Sequence, residues 1–189
     1  MKRARQRSTH VNDAVAQPLP PIAGARAGDT FEALYRDTFP RVYAYVATLL
    51  RDRSAAEDVT ALAFERAYRK RRGFRASRGS MEAWLFGIAR NAALDELRGR
   101  RRKAVLEGDP ADLDLQEPDE HLDYTLRREV VRAALASLDP REHDLVALKF
   151  SGGLSNAELG QVLGMSESNA GTKLHRTVEK LRKACHDDA

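Results

Sequence analysis

The side chains of this 189-residue chain that are best suited to chemistry are polar and basic groups near its C-terminal end. Ala170, Leu174 and Leu181 recur at the spacing of one buried helical stripe. The opposite face of that helix carries groups that suit DNA, namely Asn169, Thr172, Lys173, His175 and Arg176. Asn and Arg match the edges of bases, and Thr and Lys also suit phosphates. The face is a candidate DNA-binding surface; the alternative is a helical hairpin with a solvated face.

A second, shorter helix is predicted immediately before this one. Ser155 and Glu158 form a capping-box pattern, Gly164 is a typical helix end, and Ser166 can cap the following helix. A short helix, a tight turn with Gly and a polar second helix together indicate a helix-turn-helix. Gly171 inside the second helix costs up to about 1 kcal/mol relative to Ala, and a close approach to the DNA backbone would explain it.

The charges are sorted along the chain, although the net charge is only +4. Residues 66–78 contain seven Lys or Arg and no acid, and residues 98–103 contain five more. Residues 107–123 contain eight acids and no Lys or Arg. Basic blocks beside helices favour a polyanionic partner, most simply nucleic acid, although solvated helix faces and a solubilising loop would give the same pattern.

Hydrophobic spacing predicts an all-α fold with two small helical domains. The first spans 29–104 and the second spans 124–185, in which Asp139-Pro140 is a typical helix start. Residues 105–123 are acidic, contain two prolines and are predicted to be a flexible linker. Residues 1–28 show no helical periodicity, and we predict a disordered basic tail.

Several classes of protein do not fit the sequence. No motif for a phosphate-binding loop, a nucleophile elbow, a zinc protease or a dinucleotide site occurs, so we expect no catalytic residues and no cofactor. The five His residues are scattered and Cys185 is the single cysteine, so no metal site is predicted. No apolar run could insert into a membrane and no secretory signal is evident, which favours the cytoplasm.

Motifs in the first domain are more specific than the charges. AEDV at 56–59, FERAY at 64–68, WLFGIARN at 84–91 and DELR at 95–98 resemble region 2 of extracytoplasmic-function (ECF) sigma factors, in the sigma-70 family. The segment from Leu138 to Arg182 resembles region 4 of the same family, in the expected order. The resemblance covers about residues 29–184.

The resemblance implies a bacterial transcription initiation factor that binds core RNA polymerase and promoter DNA. Region 2 would grip the β′ coiled coil and recognise and melt the −10 element, while region 4 would bind the β flap and read the −35 element. The acidic linker would lie in the RNA exit path. Many members also have an anti-sigma factor, which would be expected to cover the polymerase-binding faces of both domains.

The resemblance also implies roles for particular residues of region 2. Phe74, Arg75 and Asn91 match positions near a flipped-out −10 base, which needs a polar partner and a flat or apolar wall. Simple core packing is the alternative for Phe74, and a bond to a local backbone group is the alternative for Asn91. A further basic set at the end of this helix would meet duplex phosphates: Arg98, Arg100, Arg101, Arg102 and Lys103. A solvated run of charges is the alternative for this set.

The polymerase-binding surface implied by the resemblance includes Glu57 and Asp58. The family usually has Gln and often Glu at the positions of Ala61 and Leu62, so the details of that contact are expected to differ here. The other candidates are a stand-alone helix-turn-helix regulator, a DNA-processing enzyme and a helical adaptor. Of these, the regulator is the principal alternative, although 29–104 resembles neither a dimerisation nor a sensor domain.

Overall fold

The computed structural model describes residues 27–107 and 130–187, and all the regular structure in these two ranges is helical. The first range contains α1 (Ala27–Leu50), α2 (Arg53–Lys70) and α3 (Met81–Glu107), with short 3-10 turns at Arg71–Gly73 and Ala76–Arg78. The second contains α4 (residues 130–136), α5 (Pro140–Phe150), α6 (Asn156–Leu163) and α7 (Glu167–Asp187). Most of the predicted tail and linker lies outside the described residues. Two predicted boundaries are wrong: residues 27–28, predicted as part of the tail, belong to α1, and residues 105–107, predicted as part of the linker, belong to α3.

Small side chains allow α1, α2 and α3 to pack closely against one another. Ala56, Ala63 and Ala67 on α2 are fully buried, as are Ala89 and Ala93 on α3. Small residues let helix axes approach, and larger side chains of α1 fill the space that remains. These three helices form the first unit of the molecule.

The ends of α1 and α2 follow from local hydrogen bonding. Arg51 takes the left-handed backbone conformation with φ 51°, which reverses the chain after α1. Asp52 then caps α2, because its side chain accepts a hydrogen bond from the backbone N–H of Ala55 at 3.0 Å. The turn between α1 and α2 is therefore only two residues long, and α2 begins at Arg53.

The predicted helix starts of the second unit are confirmed. Asp139 caps α5 in a capping box with Glu142, and Pro140 occupies the first helical position. Ser155 and Glu158 form the same arrangement at the start of α6.

The turn between α6 and α7 also has the expected form. Gly164 ends α6 in the left-handed conformation, with φ 68°, a backbone geometry that favours glycine. The Oγ of Ser166 then accepts a hydrogen bond from the backbone N–H of Asn169 at 3.2 Å, at the start of α7.

The two units pack against each other and share one hydrophobic core. Phe86 of α3 is fully buried in the same cluster as Leu148 of α5, Leu154 of the following loop and Leu159 of α6. The sequence pattern predicts two domains joined by a flexible linker and contains no sign of this packing. In the parts of the chain that the structure describes, no helix is both long and apolar enough to cross a membrane.

Candidate nucleic-acid interface

The outward face of α7 presents the predicted DNA-binding side chains together. Asn169, Thr172, Lys173, His175 and Arg176 are all exposed. The inward face holds Ala170 and Thr177, which are 0% and 3% exposed and fix the orientation of the helix. An open cleft of about 850 Å³ lies beside the outward face, lined by polar residues of α7 and by Asn156 of α6. The arrangement is a helix-turn-helix with a polar second helix.

Gly171 has a structural neighbour inside the helix-turn-helix. A Cβ at this position would lie 3.3 Å from the side-chain nitrogen of Asn156, at the start of α6. That approach is closer than an ordinary van der Waals contact, so Asn156 would have to move. The glycine therefore has an explanation in the packing of α6 against α7, without any contact to DNA.

Phe74 and Arg75 lie on the segment between α2 and α3. Phe74 is half-buried, and its ring centroid is 5.5 Å from that of Trp84, at an interplanar angle of 52°. Trp84 packs against the core, whereas Phe74 is not a member of the buried core cluster. Arg75 is exposed. Trp84 thus supports Phe74 from the core side, and the outer part of the Phe74 side chain is accessible.

Asn91 is exposed on the surface of α3, between buried positions. Its neighbours Ala89, Ala92 and Ala93 are buried, and Arg90 turns toward the second unit. An amide on an exposed helix face can offer both a donor and an acceptor to a base edge.

The basic run at the end of α3 divides into accessible and paired side chains. Arg101 and Arg102 are exposed, and Arg98 is exposed in a pair with Asp95 at 2.8 Å. Exposed pairs of this kind are weak, so Arg98 can exchange its partner for a phosphate at small cost.

Arg100 differs from the rest of this run because it joins two helices. Its guanidinium contacts Asp52, at the cap of α2, and Glu96, both at 2.9 Å. Burial works against its charge, but the hydrogen bonds to Glu96 and Asp52 outweigh that effect and raise the pKa of Arg100. Arg100 therefore helps to hold α3 against α2, and its guanidinium is less exposed than those of Arg101 and Arg102.

Glu57 and Asp58 are exposed on the outer face of α2. Glu57 accepts a hydrogen bond from Arg53 at 3.1 Å. Ala61 is exposed one turn further along the same face, so the residue that departs from the family pattern lies beside both acids. Leu62 is half-buried against the core.

Sequence reasoning missed a buried carboxylate between the two units. Asp144 of α5 is 3% exposed and contacts Tyr45 of α1 and Arg90 of α3. Burial, and then the charge of Asp144, raises the pKa of Tyr45 well above its usual value. The signal was an acid immediately before the apolar stretch 145–148, because an acid on a buried helix must find partners on other helices.

The fold is that of a helical protein with two units and a C-terminal helix-turn-helix, a motif typical of DNA-binding proteins. Two family descriptions match the chain in that order: Sigma-70 region 2 over residues 34–103 and Sigma-70, region 4 over residues 128–181. The first match contains α2 and most of α1 and α3, and the second contains the helix-turn-helix.

Curated relatives agree with both matches. RNA polymerase sigma factor CarQ of Myxococcus xanthus is 34% identical over 83% of this chain and 90% of its own length. ECF RNA polymerase sigma factor SigK of Mycobacterium ulcerans is 30% identical over 82% and 84%. ECF RNA polymerase sigma factor BldN of Streptomyces coelicolor is 32% identical over 89% of this chain, which spans 66% of BldN. The chain belongs to the ECF sigma factors of the sigma-70 family.

Solved structures share the fold. The sigma factor RpoE of Bartonella quintana, in complex with the anti-sigma factor NepR, superposes with a TM-score of 0.68 at 21% identity, covering 85% of this chain and 99% of that chain. CnrH, in complex with the cytosolic domain of CnrY, gives a TM-score of 0.62 at 20% identity, covering 86% and 91%. At these identities the likeness concerns the fold alone.

Proposed function

We propose that this sigma factor directs RNA polymerase to promoters through two DNA contacts, one made by each unit. The unit of α1–α3 contacts the −10 element, and the helix-turn-helix of α6 and α7 contacts the −35 element. The observation that carries the proposal is the match to both sigma regions in their expected order on one chain. The exposed set on α7 supports it, because all five candidate side chains lie on accessible surface.

The −10 contact is assigned to Phe74, Arg75 and Asn91. A base that has left the stack needs hydrogen bonds to its edge and an apolar surface for its face. Asn91 offers the amide, Phe74 with Trp84 behind it offers the apolar surface, and Arg75 offers a cation nearby. Arg98, Arg101 and Arg102 would contact the phosphates of the adjoining duplex.

The polymerase contact is assigned first to Glu57 and Asp58 on α2. Their exposed carboxylates suit a positively charged part of the β′ coiled coil, and Ala61 beside them provides a smaller surface than the usual Gln. The second unit would bind the β flap, and the acidic linker would occupy the RNA exit path until RNA displaces it. The protein would act in the cytoplasm, without catalysis or a cofactor of its own.

Control by an anti-sigma factor is part of the same proposal. Of the two solved structures described above, that of RpoE contains a sigma factor bound to an anti-sigma factor. An inhibitor of this chain would compete with polymerase by covering the exposed face of α2 and the matching face of the second unit.

Promoter binding that depends on core polymerase tests the function. Labelled promoter fragments are mixed with the protein alone, with core polymerase alone and with both. We expect a specific shift only when both are present, and Asn91→Ala should reduce melting of the −10 element while leaving core binding intact. Specific binding by the protein alone would instead support the stand-alone helix-turn-helix regulator.

A further inference from the structure

The first unit carries an aromatic surface that neither the proposed DNA contacts nor the proposed polymerase contact uses. It lies where α1 packs against α2, and we call its five residues the aromatic surface: Phe31, Tyr35, Phe39, Phe64 and Tyr68. Tyr35, Phe39 and Tyr68 are 42%, 36% and 49% exposed, although aromatic side chains of this size bury well.

The rings of the aromatic surface support one another. The ring centroid of Tyr35 lies 4.8 Å from that of Phe64 and 5.1 Å from that of Phe39. The centroids of Phe31 and Tyr68 are 5.3 Å apart. Members of each helix recur every four residues, so they lie along one face. A contiguous apolar patch of this kind marks an interaction site, whereas scattered exposed apolar residues do not.

The residues that precede α1 have a sequence that fits such a surface. The motif PLPPI at 18–22 ends five residues before Ala27, where the described part of the chain begins. Proline-rich segments favour the extended polyproline II conformation, which is bound by surfaces lined with aromatic rings. Because this conformation is largely set by the prolines, little conformational freedom is lost when the segment docks.

The segment 18–22 can reach the whole aromatic surface. Phe31 and Phe39 are four and twelve residues beyond Ala27, which places them about 6 and 18 Å along the axis of α1. In the other direction, residues 22 and 18 are five and nine residues from Ala27. At about 3.1 Å per extended residue these lengths are about 15 and 28 Å. Gly24 lies between the segment and α1 and permits the chain to reverse.

The distribution of charge favours this direction along α1. The end of the aromatic surface at Tyr68 adjoins residues 69–72, which are four Lys or Arg. Toward the start of α2, the exposed carboxylates of Glu57 and Asp58 follow. Residues 2–7 contain four Lys or Arg, so they are repelled by the basic end and attracted by the acidic end.

We propose that the segment 18–22 docks on the aromatic surface of its own chain, running back along α1 over Tyr35 and Phe39. The inference goes beyond the proposed function, because the docking needs neither DNA nor polymerase. The docked segment shields apolar rings from water and from other chains. An extended segment held on a surface has no helical periodicity, which is the pattern that residues 1–28 show.

NMR of isoleucine methyl groups in the full-length protein tests the docking. The sequence contains two isoleucines, Ile22 in the segment and Ile88 in α3, where it packs against the core. We expect nuclear Overhauser contacts between the δ1 methyl of Ile22 and ring protons of Tyr35 or Phe39. The same methyl should shift upfield, because it lies over aromatic rings. Ile88 reports the fold in every variant.

Replacement of the three prolines should release the segment. In the variant with Pro18→Ser, Pro20→Ser and Pro21→Ser, we expect the Ile22 contacts and the upfield shift to be lost while the Ile88 signal is unchanged. The matched control is Val11→Ser with Val15→Ser, which removes apolar residues elsewhere in the tail and should leave both signals of docking intact. No contact from Ile22 in the wild type, or contacts that persist in the proline variant, would overturn the proposal.

A mixture of two differently labelled samples distinguishes docking within one chain from association of two chains. One sample carries the labelled methyl groups in a deuterated background, and the other carries the ring protons. Contacts between the two samples, or shifts that grow with protein concentration, would assign the surface to a second copy and overturn the proposal. Ring signals that change only on addition of core polymerase, without Ile22 contacts in the free protein, would assign it to polymerase instead.

Discussion

Arg176 is the exposed cation of α7 whose replacement should change DNA binding most clearly. Arg176→Ala is expected to weaken binding of the polymerase complex to a cognate −35 element by about 1–3 kcal/mol if Arg176 reads a base, with relaxed preference at that base pair. If it contacts a phosphate, binding should weaken evenly across sequences and the salt dependence should fall by about one ion. Competition binding with substituted −35 elements, over a range of salt, distinguishes the two.

Arg182→Ala is the matched control for Arg176. Arg182 is an exposed arginine of the same helix, about a turn and a half further on, and pairs with Glu179. Its loss should leave promoter affinity nearly unchanged. Equal losses of promoter affinity in both variants would indicate a general effect of charge. An Arg176→Ala protein with wild-type promoter affinity would exclude Arg176 from the DNA interface.

Glu158 makes the stability of the protein sensitive to acid. Burial raises its pKa, but hydrogen bonds from Ser155 and Ser80 outweigh burial and leave the pKa below its usual value. A carboxylate whose pKa is lowered by folding stabilises the protein above its unfolded pKa, and that contribution disappears as the pH falls through the folded pKa. Glu158→Gln should therefore destabilise the protein near neutral pH and have a smaller effect in acid.

Urea unfolding at about pH 6 and about pH 3 measures this change directly. The quantity compared is the difference in the free energy of unfolding between wild type and Glu158→Gln. A difference that is equal at both pH values, or larger in acid, would show that the hydrogen bonds do not stabilise the ionised carboxylate of Glu158.

At the scale of elements, the geometry of the helix-turn-helix depends on Gly164. Its φ of 68° is left-handed, so Gly164→Ala should lower the free energy of unfolding by about 1 kcal/mol. Gly171→Ala is the matched comparison, because Gly171 is a helical position where alanine is intrinsically favoured. There, displacement of Asn156 offsets the gain, and the net change should be smaller. Urea unfolding of both variants measures the two effects, and a larger loss at Gly171 would contradict this assignment.

Features determined by neighbours in sequence could be predicted. The caps at Asp139 and Ser155, and the glycine that ends α6, follow from local hydrogen bonds and backbone conformation. The reason for Gly171 could not be predicted, because it depends on Asn156, which another helix supplies. The pairing of Arg100 with Asp52 could not be predicted either, because the two residues are 48 positions apart in the chain.

At the scale of the whole molecule, the packing between units was the feature that sequence patterns did not predict. The acidic linker predicted two independent domains. Arg90 lies in the motif WLFGIARN, whose resemblance to region 2 implies contacts to DNA and polymerase rather than to the second unit. The contacts of Asp144 could not be predicted, because a single acid beside an apolar stretch does not identify the residues that it binds. Its partners, Tyr45 and Arg90, lie 99 and 54 residues away along the chain. The exposed face of α7 could be predicted from helical spacing, whereas the packing of one unit against the other depends on residues that are far apart in the chain.

The most direct test of the central claim is transcription from genomic promoter fragments by core polymerase that lacks any other sigma factor. Start sites are mapped by sequencing, with and without the purified protein. We predict discrete transcripts that require the protein, with start sites that align on shared −10 and −35 elements. No specific initiation, together with no binding to core polymerase, would contradict the account.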